Sequence, residues 1–124
     1  MKTQVLKWAN LLGETGIYRL LCPGRLPVFM LHRVTEGDDG VPAGLPADQL
    51  RSHLQYLSDR GYQVLSMDEL WHCLHEGQPI PSKSVMLTID DGFYDHHDVA
   101  AKSFDEFGFT QNFFVIRGLL DQQM

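Results

Sequence analysis

From residue 28 onward, short strand-like runs alternate with helical stripes, and this alternation restricts the possible folds more than any other feature of the chain. "VFMLHRV" (28–34) reads as a strand, followed by an exposed Gly- and Pro-rich loop, "TEGDDGVPAGLP". Ala47, Leu50, Leu54 and Leu57 then recur at i, i+3, i+7 and i+10, the apolar stripe of a helix, and Gly61 is placed to end it in a left-handed cap. "YQVL" is a short second strand. Ser66 and Glu69 have capping-box spacing: the hydroxyl accepts from the N3 amide while the carboxylate reaches back to the cap amide, so a helix starts there. It carries Leu70 and Leu74 inward and stops at Gly77, before the proline-rich connection "QPIPSK". "SVMLTID" is the third strand. A polar-faced helix from about Asp95 to Phe107 ends at Gly108, and "QNFFVI" is the fourth strand. Strands and helices in this order imply parallel strands with crossover helices, the α/β class.

Parallel sheets bind their ligands at the carboxyl ends of the strands. The third strand runs out, in "VMLTIDDGFYD" (85–95), into the adjacent carboxylates of Asp90 and Asp91. Two such groups repel each other and lose solvation, which a chain accepts at a strand end for the sake of a cation or a proton. Successive strand side chains point to opposite faces, so both acids address one centre only if the chain turns between or just after them, and Gly92 permits that turn. One carboxylate then points into the pocket while the other swings over its mouth. Taken alone, the acid pair also fits a plain turn with solvated carboxylates. His32 and Arg33 end the first strand on the same side.

Composition narrows the function. A chain of 124 residues holds one domain. A net charge of −6 with dispersed Lys and Arg argues against a nucleic-acid partner, which would require basic charge concentrated on one face. Cys22 and Cys73 form no C-x-x-C pair and no disulfide framework, so reduced thiols are expected. In the N-terminal "MKTQVLKWANLLGETGIYRLL" the apolar residues are interrupted by Lys7, Asn10 and Glu14, leaving no continuous export-signal core and no membrane span. Its helical stripe (Val5, Trp8, Ala9, Leu12) fits a helix packing on the domain or, alternatively, a membrane-surface helix with Lys2, Lys7 and Arg19 at the headgroups.

Thr88-Ile89-Asp90-Asp91-Gly92 resembles the T-F-D-D-G motif of the polysaccharide deacetylases, the NodB-homology or carbohydrate esterase family 4 domains, with Ile89 in place of Phe. "MLHRV" is similar to the family's opening tyrosine-His-Arg strand, with Leu31 for the tyrosine. "GYQVLSMDEL" is similar to its second strand and following helix, and "TQNFFVIRG" to its A-T-F-F-V strand. The resemblance runs in order from about residue 26 to 120. It implies a partial (β/α) barrel of the NodB-homology type. An eight-unit barrel takes roughly 250 residues, so about four parallel strands with their helices make about half of one. The expected organisation is an N-terminal helical segment (1–25) and the N-terminal part of a deacetylase domain (26–124), incomplete at its C-terminus.

The resemblance also implies a metal-dependent hydrolase that removes acetyl groups from N-acetylated or O-acetylated sugars of a polysaccharide or oligosaccharide. Asp90 is then the catalytic base and Asp91 a ligand of a divalent metal, usually Zn2+. The two histidine ligands that complete the family's metal site do not occur before Met124, so the 124-residue chain alone is expected to be inactive. His32, Arg33, Phe93 and Tyr94 are the candidates for lining the pocket, the two aromatic rings by stacking on sugar, with core packing as the alternative for Phe93. His96 and His97 are expected along the surface of their own helix, His72 and His75 beside Cys73 on a solvent-facing helix, and His53 on the surface. The expected location is cytoplasmic or peripheral to the inner membrane. A non-enzymatic module is the competing class: a truncated deacetylase that binds carbohydrate or a partner, or a receiver domain. A receiver carries its acid pair near its start, whereas 89 residues precede Asp90 here.

Overall fold

The computed structural model describes residues 24–36 and 44–120. The expected helix before residue 24 and the middle of the Gly- and Pro-rich loop lie outside the described residues. In chain order the elements are β1 (Val28–Leu31), β2 (Val34–Thr35), β3 (Leu45–Pro46), α1 (Ala47–Asp59), β4 (Gln63–Val64), α2 (Met67–His75) and β5 (Ser84–Asp91). A π-helical turn (His96–Ala100) then runs into α3 (Ala101–Glu106), followed by β6 (Asn112–Val115) and α4 (Arg117–Leu120). No helix among the described residues is long and apolar enough to cross a membrane.

β5 is the central strand of a four-stranded sheet in which every pairing is parallel. Ser84 to Ile89 are all buried, which explains the unbroken run where a half-exposed strand would alternate. β1 and β6 both pair with Thr88 and Ile89 and therefore flank β5 on opposite sides, while β4 pairs with its first two residues. The odd-numbered side chains Val85, Leu87 and Ile89 share one core with Leu50 and Leu54 of α1 and with Ala100 and Phe104. Met86, Thr88 and Asp90 belong to the other face of the strand. The α1 stripe is as expected, and Gly61 follows it at φ +67. The Ser66–Glu69 capping box is present in full.

Three elements differ from expectation. The expected first strand is split: pairing with β5 stops at Leu31, and Val34–Thr35 pair instead with Leu45–Pro46 in a separate two-stranded sheet. The cause is Asp95, whose Oδ2 accepts from the Val34 amide at 3.1 Å and from Arg33 Nε at 2.9 Å, drawing the chain out of the ladder. Leu74 does not point inward. It is 66% exposed, and α2 buries none of its residues, Leu70 being only half-buried. The helix after β5 is not simply polar-faced, because it opens with a π turn and buries His96, Ala100, Ser103 and Phe104.

Asn112, the first residue of β6, holds the sheet together where β4 ends and β6 begins. Its Nδ2 donates to Leu65 O at 3.0 Å and to Leu87 O at 3.2 Å, and its Oδ1 accepts from the Met67 amide at 2.8 Å. One buried amide thus satisfies a carbonyl of β5, the carbonyl just after β4 and the amide that starts α2. Asn112→Ala is expected to lower unfolding free energy by about 3 kcal/mol in urea titration, since three backbone groups lose their partner. Asn112→Asp, which places a carboxylate against two carbonyls, is expected to lose more.

Candidate active site

The sheet brings the acid pair out of the core at the carboxyl end of its central strand. Asp90 and Asp91 are half-buried and stand opposite Phe114 and Val115 of β6. On the other side the exposed His32 follows Leu31, the register partner of Ile89 and last paired residue of β1. Oδ1 of Asp90 is buried and has no hydrogen-bond partner among the described residues. A buried carboxylate oxygen costs free energy unless a donor meets it, so this atom is open to a donor, a property it shares with Asp95 Oδ1. The turn begins within Asp91 itself, at φ +77, and continues in Gly92 at φ +75. Aspartate is among the few non-glycine residues found in this left-handed region with any frequency.

Behind the acid pair lies a group of residues that links the strand ends. Arg33 bonds to Asp95, and its guanidinium carbon sits 4.5 Å from the Phe93 ring centroid. His96 was expected on the helix surface but is only 2% exposed. Its Nε2 donates to the His32 carbonyl, and its ring meets Phe93 edge-on at 5.6 Å and Phe113 face-on at 6.2 Å. The spacing of His96, Ala100 and Phe104, four residues apart on one face, was the signal for its burial. Nothing in the sequence announced the pairing of Asp95 with Arg33.

The remaining histidines lie where expected. His53, His72 and His75 are exposed, with His75 stacked on Trp71. His97 is exposed and contacts Asp98. Among the described residues no group of three or more His, Cys, Asp or Glu side chains is placed to hold a metal ion. The donor set therefore does not fit a zinc site by itself, since catalytic zinc takes three protein ligands and no three donors are brought together among the described residues.

A polar cavity of about 350 Å³ opens between β2 and the π turn, lined by residues including Arg33, Glu36, Tyr94, Asp95, Asp98 and Lys102. Of the residues expected to line a pocket at the acid pair, Arg33 and Tyr94 line this cavity, while His32, Phe93 and the acid pair itself are not on its wall. The Tyr94 hydroxyl donates to Asp98, which raises the phenol above its ordinary value of 10.0, with the carboxylate charge adding to the effect. The hydrogen bond from His97, and then that from Tyr94, holds the Asp98 carboxyl below its usual range.

This geometry has relatives. YxkH of Bacillus subtilis (strain 168), which carries the name of a polysaccharide deacetylase, is 29% identical over 94 residues, covering 76% of this chain and 33% of YxkH. The deacetylase PplD of Streptococcus pyogenes, solved in complex with acetate, superposes with a TM-score of 0.67 at 27% identity, covering 78% of this chain and 45% of PplD. A de-N-acetylase from Aggregatibacter actinomycetemcomitans superposes with a TM-score of 0.68 at 26% identity, covering 77% of this chain and 39% of the enzyme. No family model matches the chain. The relatives and structural neighbours are polysaccharide deacetylases, hydrolases with a (β/α) barrel. The chain matches part of a NodB-type deacetylase and spans about a third of the length of YxkH.

Two outcomes follow from the local geometry. A Cβ at Gly92 would stand 3.0 Å from Val115 Cγ1 at a φ of +75. Gly92→Ala is therefore expected to cost about 1–2 kcal/mol from the backbone conformation plus a contact penalty, and in a double-mutant cycle Val115→Ala should relieve only the contact. Asp98→Asn is expected to lower the Tyr94 ionisation midpoint, followed by phenolate absorbance. The Asp98 contribution is present above the ordinary carboxylate range and is lost as pH falls through its own midpoint. That of Tyr94 is present below the ordinary phenol value and is lost as pH rises through its raised midpoint.

Proposed function

We propose that the protein to which this chain belongs removes acetyl groups from N-acetylated sugars of a polysaccharide, with O-acetyl groups open to the same chemistry. The observation that carries this reading is the buried, unpartnered Oδ1 of Asp90 at the carboxyl end of the central parallel strand. Similarity to YxkH and to a de-N-acetylase supports it. Asp90 is the general base. It takes a proton from water while the water oxygen bonds to the acetyl carbon. The carbon–nitrogen bond then breaks, a proton passes to the departing nitrogen, and acetate and a free amine leave.

Asp91 is proposed as one ligand of a divalent metal, zinc in the first instance, whose other donors would have to come from outside the described residues. The proton step assigned to Asp90 is argued without it. Arg33 and Tyr94 are the proposed sugar contacts, since they line a polar cavity at the π turn that follows the acid pair in the chain, with a volume within the ~300–1,000 Å³ of small-ligand sites. Arg33 and His96 both pack on the Phe93 ring, which stays 42% exposed.

The test is acetate release from acetylated chitooligosaccharides and from acetylated xylan, with zinc content measured in parallel. Asp90→Asn is expected to lower kcat by about 10²–10⁴-fold and to leave the metal content unchanged. Asp91→Asn, which keeps a residue tolerant of positive φ, is expected to lose the metal. Equal metal loss in both variants, or full turnover in Asp90→Asn, would overturn the assignment.

A further inference from the structure

We propose that His96 is a positioning residue for the acid pair, acting as a brace across the carboxyl end of β5; the kinetic part of this proposal rests on the deacetylase reading, the geometric part does not. The imidazole reaches all three chain segments that surround the two carboxylates. Nε2 bonds to the His32 carbonyl at the end of β1, Phe93 in the turn after the acid pair packs edge-on, and Phe113 of β6 stacks on the ring. β1 and β6 are the strands on either side of β5, so one side chain ties both neighbours of the acid strand to the turn that leaves it.

Because a backbone carbonyl only accepts, Nε2 carries the proton. Nδ1 is buried and has no partner among the described residues. A core histidine selected for stability alone would be expected to satisfy both nitrogens or to be replaced by an apolar ring. His96 instead commits one nitrogen to a strand-end carbonyl. It also stands at the start of a π turn, an irregularity that recurs at functional sites. Arg33 extends the brace outward, bonding Asp95 and covering the outer side of Phe93. The turn 91–95 is thus held from below by His96 and from the cavity side by Arg33, and it contains Asp91 at a backbone angle that few residues hold unaided.

Three variants test the brace. His96→Gln places an amide nitrogen where Nε2 stands and keeps the bond to His32. His96→Phe keeps a ring against Phe93 and Phe113 and loses the bond. His96→Asn is polar but too short to reach the carbonyl. In the chain as it stands, amide NMR is expected to show Asp90 to Phe93 little changed in His96→Gln. In His96→Phe, or in His96→Asn should the Phe variant not fold, the same amides should shift and lose exchange protection, while those of α1 stay as in the parent. In a preparation that releases acetate, measured well below its melting temperature, kcat is expected to fall about 10–100-fold in the Phe and Asn variants, with KM nearly unchanged, and to return to within about threefold in Gln. Unmoved amides in the Phe and Asn variants, or a Gln variant as damaged as these, would overturn the proposal. Loss of acetate release in every version, with the amide pattern as expected, would count against the deacetylase reading and leave the brace standing.

Discussion

Burial of β5 along almost its whole length is the constraint on which the rest of this structure depends. A strand covered on both faces and paired on both edges has no solvent-facing side, and its parallel neighbours require crossover connections, which here run through helices. α1, the π turn and α3 supply one cover through Leu50, Leu54, Ala100 and Phe104. Where β5 leaves the core the next residues are acidic, and the contrast between an apolar strand and its charged end makes the site. Asp90 is held at that boundary by the ladder, with one oxygen already removed from solvent.

The same constraint explains why the site is built from several short segments. Pairing stops at Leu31 on one side of β5 and at Val115 on the other, and beyond these points the chain is free to turn. Asp95 gathers the β1 side by accepting from both Arg33 and the Val34 amide, and His96 reaches the next carbonyl along. The split of the expected first strand is therefore part of the site. Had residues 28–34 continued as one strand, the His32 carbonyl would belong to the ladder and Arg33 would not reach Asp95.

The outer strands carry exposed apolar side chains. Phe29 and Met30 of β1 are 54% and 61% exposed, and Phe114 and Val115 of β6 are 47% and 55% exposed. Among the described residues each of these strands pairs with β5 alone. In NodB-type deacetylases with a (β/α) barrel the sheet closes on itself, and edges of this kind are what closure removes. Such surface on both sides of an otherwise well-packed unit is consistent with a chain that matches part of a deacetylase.

The amino-acid sequence by itself determined the class of the fold and the position of the acid pair within it. Strand and helix periods are local, so the α1 stripe, the Ser66–Glu69 capping box and the buried run ending in Asp90 and Asp91 could be read from neighbours a few residues apart. Tertiary structure alone decided how far each strand pairs, which histidine is buried, and what surrounds the acid pair. The contacts that settle these points join Arg33 to Asp95, His32 to His96, and Asn112 to Leu65 and Leu87, residues far apart in the chain. Such contacts depend on which strand ends the sheet brings together, and no local period encodes them. Leu74 shows the converse: its helical spacing reads as inward, yet α2 lies where nothing covers that face among the described residues, and the side chain is exposed.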